Sequence, residues 1–218
     1  MLTALYGFYT IAVTAQIIAA LRLFSRRSAK NSAYLGVLLV VLIGLLYDNA
    51  IIALGAIIGE GWFLHTLSVG RYIGHAFGTP LLLIFAFGVA RRAGLGWAQA
   101  KTAHALLCLF TTLLIGIGVF NDIVRLELTP RPLLDILRYV NIAPKGPPIP
   151  SIATILGLLV MSAALWRSTG WAWLAVGALF MFIAAVIGMR DWMFLSNFGE
   201  VVLGLACLGA AKKFLRPE

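Results

Sequence analysis

Three ionisable side chains stand inside stretches that are otherwise oily. Asp48 interrupts GLLYDNAIIALGAIIGEG, residues 44–61; His75 precedes FGTPLLLIFAFGVARR, residues 77–92; and Glu200 lies in FGEVVLGLACLGAAKK, residues 198–213. A carboxyl in a low dielectric favours its neutral form unless a cation answers it, and a carboxyl beside a histidine is a workable acid–base pair. Asp48, His75 and Glu200 are therefore the candidate catalytic core. Arg71 and Arg190 could hold a phosphate or carboxylate head group in bidentate fashion. Tyr47, Asn49, Asn121, Asp122 and Asn197 complete the candidate binding set. These are parts suited to work on a lipid head group or a polyprenyl chain; their spacing does not specify a reaction.

The residues can meet only if helices carry them to one depth. Arg71, His75 and Thr79 are spaced i, i+4, i+8 and form one helical stripe. Asn197, Glu200 and Gly204 share a face, and Gly44, Asp48, Gly55 and Gly59 share another, whose small residues permit close helix contact. Counted at 1.5 Å per residue, Asp48 lies about 22 Å above Ala33, or about 8 Å below the far edge of a ~30 Å hydrocarbon core. Glu200 lies about 9 Å below Phe194, close to the same level. Ionisable groups inside a membrane are costly and usually pair or line a wet cavity. The expectation is a polar layer in the outer third of a helical bundle, turned away from lipid.

Composition supplies those helices. Of the 218 residues, 61% are hydrophobic and 11% charged, and the mean hydropathy is +0.98. Soluble domains carry about twice that charged fraction. Seven apolar runs approach or reach spanning length: 3–24, 33–58, 72–90, 102–121, 151–166, 171–189 and 194–211. The expected fold is an all-α polytopic membrane protein of seven transmembrane helices, with residues 1–218 forming one bundle. Of 17 Lys and Arg, eleven fall in the odd-numbered loops and the C-terminal tail and six on the other side. Because Lys and Arg collect on the cytoplasmic side, the N-terminus is expected outside and the C-terminus inside. The net charge of +9 then reports topology and not a nucleic-acid partner. Membrane lipids and a hydrophobic small molecule are the expected partners, in a bacterial-type inner membrane. Oligomeric state is not specified.

Two segments on the outer side are long. One is 60–71. In the other, 123–150, Leu133, Leu134, Ile136, Leu137 and Val140 fall on one side of a short helix expected to lie flat on the leaflet. It is either a surface connector or a lid over an outward-facing cavity. Phe77–Arg92 and Phe198–Lys213 share Phe-Gly, a later Gly, an Ala and a closing basic pair, consistent with a 3+1+3 repeat of the kind seen in small transporters. There is no HExxH, HxxxH or GxSxG motif, so no metal is assigned and no cofactor is specified. Cys108 and Cys207 fall inside apolar runs and are not expected to pair.

Three classes of function follow. The first is a membrane enzyme or lipid-handling protein with an outward-facing acid–base site. The second is a small proton- or ion-coupled transporter. The third is a non-catalytic scaffold or assembly factor. An enzyme requires an outer pocket over a closed inner half, a transporter a polar path continuing past Gly44 and Gly204, and a scaffold paired charges with no cavity.

Overall fold

The computed structural model of the chain describes residues 1–25, 31–143, 147–188 and 192–215. Its helices are α1 (Leu2–Ser25), α2 (Ser32–Ile58), α3 (Trp62–Arg92), a single turn α4 (Gly96–Gln99), α5 (Lys101–Val119), α6 (Ile149–Thr169), α7 (Trp173–Gly188) and α8 (Met193–Phe214). Among the described residues six helices are long and apolar enough to cross a membrane, and α7 is a shorter apolar helix. This is the architecture of a multi-pass helical membrane protein. Backbone groups that find no water in a bilayer must be satisfied within the helix, so apolar runs of this length fold in no other way.

Neighbouring helices close a ring in the order α1, α2, α3, α6, α7, α8 and back to α1, with α5 packed outside against α3 and α6. The half of the ring that carries Arg91, Arg92, Lys212 and Lys213 is filled by an apolar core that includes Leu35, Leu83, Phe85, Leu165 and Leu174, each buried. Phe87 stacks on His104 and meets Trp97 edge to face, so His104 belongs to the packing of that end.

Two sequence expectations change. Helix α3 starts at Trp62, so most of the expected loop 60–71 is helical and Arg71 lies almost three turns inside. The loop signal is confined to Gly59 and Gly61, both at positive φ. The second change is larger. The expected flat helix over 133–140 is an antiparallel hairpin, β1 (Leu128–Leu133) paired with β2 (Ile136–Asn141). Pro130 and Pro132 deny β1 the amides a helix needs and suit an edge strand, and Leu134, at φ 52°, takes the turn. The five apolar residues are spaced for a helix face, and pairing between the strands overrides that period.

The hairpin is tied to the bundle at several points. Asp135, in its turn, accepts hydrogen bonds from the backbone amides of Leu2 (2.8 Å) and Thr3 (3.2 Å) and pairs with the terminal ammonium of Met1. It therefore caps α1 from 132 residues or more away in sequence. That ammonium and the two amides hold the Asp135 carboxyl well below the usual carboxylate range. Strand β2 lies directly on α2 at Gly55, where a Cβ would collide with the Leu137 carbonyl oxygen.

Candidate functional site

Asp48 is the hub of a polar cluster that joins α2, α3 and α8. Arg71 Nε donates to Asp48 Oδ1 at 2.8 Å, and His75 Nε2 lies 3.4 Å from the same oxygen. Asn197 Nδ2 donates to Asp48 Oδ2 at 3.0 Å and to Asn49 Oδ1 at 3.3 Å. Tyr6, from α1, donates to Asn197 Oδ1 at 3.4 Å. Both carboxylate oxygens of Asp48 are thus engaged, one by a full cation. Arg71 also reaches the Tyr139 carbonyl oxygen at 3.4 Å, and Tyr72 accepts from the Asn141 amide at 2.8 Å, which joins the cluster to the hairpin. The i, i+4 stripe of α3 is what brings Arg71 and His75 to one carboxylate.

Beside this cluster the ring encloses a cavity of about 380 Å³. Its polar end is lined by Asp48, Arg71, His75, Thr154, Asn197 and Glu200, and its other end by Leu38, Val41, Leu42, Leu158, Leu203 and Cys207. The two acids differ in their access to it. The Asp48 side chain is 4% exposed while that of His75 is 41% exposed, so the imidazole stands between the carboxylate and the open space. Glu200 lines the cavity from α8, and its Oε2 is buried without a hydrogen-bond partner among the described residues. Thr154, from α6, also lines the cavity, is fully buried, and leaves its hydroxyl without one. His75 and Glu200 line the same cavity from α3 and α8.

The structure gathers Asp48, Arg71, His75, Asn197 and Glu200 of the expected set into this one place. Asn49 stands behind it, donating to the Leu45 carbonyl at 2.8 Å. Tyr47 points to α3, where its hydroxyl donates to Leu67 O at 2.8 Å and its ring packs against Gly70. Asn121 and Asp122 lie in a π-helical turn, Phe120–Val124, at the end of α5; α5 is outside the ring, so these two are not brought to the cavity. Arg190 lies outside the described residues. Thr154, Tyr6 and Tyr139 were not legible as site residues: Thr154 sits in an unmarked apolar run, and the other two meet the site only through folding. Arg138, from β2, is also buried and points to the Met193 sulfur, with its Nε unbonded among the described residues. Burial pulls its pKa below the ordinary arginine value.

Among the described residues no group of three or more His, Cys, Asp or Glu side chains is placed to hold a metal, and both Cys108 and Cys207 are free thiols. In chemical terms the site offers a histidine oriented by a carboxylate, a carboxyl with one oxygen unbonded among the described residues, and an apolar compartment behind them. No protein-family model matches the sequence, and a search of characterised proteins returns no match.

Proposed function

We propose that the chain is an integral membrane enzyme or lipid-handling protein that takes a lipid or isoprenoid-type substrate into the central cavity and works on its polar end. In this reading the chain crosses a bacterial inner membrane seven times, α7 included, with its N-terminus outside. The observation that carries the proposal is the polarity of the cavity along its length: ionisable groups at the hairpin end and hydrocarbon toward the basic end. Asp48 holds His75 by Nε2, which leaves Nδ1 as the polar atom able to exchange a proton with a substrate. Glu200 supplies the second proton-exchanging group. A histidine oriented by a carboxylate and a second acid in reach are what general acid–base catalysis requires.

The transporter reading is less well supported. Inward of Gly44 and Gly204 the described cavity wall carries no charged group and is apolar apart from Thr79, and the core beyond it is packed. The scaffold reading must accommodate both an open cavity and a carboxyl oxygen that finds no partner among the described residues, which costs roughly 1–3 kcal/mol if nothing fills it.

Native mass spectrometry of the protein released from its own membrane tests the proposal. A retained hydrophobic small molecule is expected, and Ala185→Phe, which projects a ring into the cavity from α7, should remove it without lowering the yield. A spectrum free of adducts, together with proton-coupled flux in proteoliposomes, would transfer the case to the transporter.

A further inference from the structure

We infer that the ligand of this cavity is an uncharged lipid carrying a hydroxyl head, bound between Glu200, Thr154 and His75 with its hydrocarbon directed toward Leu38 and Cys207. The inference rests on the cavity reading above and narrows it to one head-group chemistry.

The argument begins from which polar atoms are already committed. Asp48 is satisfied on both oxygens by Arg71, His75 and Asn197. Arg71 is shared between Asp48 and the Tyr139 carbonyl. The guanidinium that the sequence marks as a phosphate clamp therefore already has its carboxylate. A phosphate or carboxylate head would have to displace Asp48, and it would also meet Glu200 across the cavity. A cationic amine head offers donors only, so it could answer Glu200 but would leave the buried Thr154 hydroxyl proton without an acceptor.

Among the described residues the uncommitted atoms are Glu200 Oε2 and Thr154 Oγ1, both buried and without partners there, together with the remaining nitrogen of His75. They are a carboxyl, a hydroxyl and an imidazole, none of which requires a charged partner. A hydroxyl donates one hydrogen bond and accepts up to two, so it can satisfy Glu200 and Thr154 together whichever of them carries the proton. Behind them the α2 side of the wall is apolar over the ten residues from Asp48 to Leu38, about 15 Å of helix, which suits a single extended hydrocarbon or a polyprenyl segment.

The test uses the full chain in nanodiscs with three probes of one chain length: dodecanol, dodecyl phosphate and dodecylamine, each read by native mass spectrometry and by thermal shift. Dodecanol is expected to bind tightest. Thr154→Val, which keeps the side-chain shape, and Glu200→Leu should each weaken it about tenfold, the equivalent of one hydrogen bond. Should Glu200→Leu fail to fold, Thr154→Val alone carries the result. Tighter binding of the phosphate or the amine, or dodecanol binding indifferent to both substitutions, overturns the inference. If the preferred probe is displaced by Ala185→Phe, the cavity reading stands even though the head-group assignment falls. If no probe responds to Ala185→Phe, the cavity is not the binding site and the function proposed above falls with it.

Discussion

Asp48 and Glu200 share a cavity and lie within about one helical turn of the same depth, yet their surroundings are opposite. Asp48 faces a guanidinium, an imidazole and an amide, and it connects three helices to each other and, through Arg71, to the hairpin. Glu200 lines the cavity and leaves an oxygen unbonded among the described residues. Two acids of the same type therefore divide the work. One is held by three partners, and the other, on the function proposed above, is left for whatever enters the cavity. Burying a saturated charge network can hold a bundle together, whereas an unsatisfied group is retained only where something else completes it.

Substitutions at the two acids should separate most widely in stability. Asp48→Ala leaves the Arg71 guanidinium buried without its counter-ion, and a loss of about 3–5 kcal/mol is expected, visible as collapse of the folded yield in detergent. Adding Arg71→Met to Asp48→Leu should recover part of it. Recovery to no degree would mean that Asp48 serves more than this pair. Next in size is Gly55→Val. It thrusts a side chain into the Leu137 carbonyl, and about 1–3 kcal/mol of overpacking is expected, read as faster amide exchange in β2 than in α8. Equal exchange in both would show that the hairpin is not an independently displaceable cap.

A smaller and more local effect concerns acid. The Asp135 carboxyl is held below its ordinary range in the folded state. A depressed acid contributes its stability in full above the unfolded value of about 3.9 and loses it as pH falls further. Protection of the Leu2 and Thr3 amides should therefore be constant from neutral pH down to about 4 and decline below it, and Asp135→Asn should abolish that decline. The smallest stability change is expected for Glu200→Gln, less than about 1 kcal/mol, accompanied by altered ligand retention. A large loss of folded protein in that variant would place Glu200 with Asp48 as a structural group and erase the contrast.

Much of the bundle was legible because hydrocarbon runs of twenty residues have few alternatives. The depth of Asp48 and Glu200 followed from counting residues along a helix, and the partnership of Arg71 with His75 from their four-residue spacing. The hairpin was not legible. Its five apolar residues fit a helix face, and the decisive facts, Asp135 capping α1 and β2 resting on Gly55, are contacts between segments about eighty or more residues apart. Asn121 and Asp122 had the right depth and residue types, but α5 lies outside the ring. Nothing in the order of residues along a chain states which of several apolar helices is left at the periphery.

By itself, then, the sequence determined which runs become apolar helices and where along each helix its polar side chains sit, since these depend on local spacing and the thickness of a hydrocarbon layer. Tertiary structure alone decided which of those side chains meet, because rotation about each helix axis and the order of helices around the ring are set by packing between distant segments. That packing made one acid the centre of a closed network and left the other facing an open cavity.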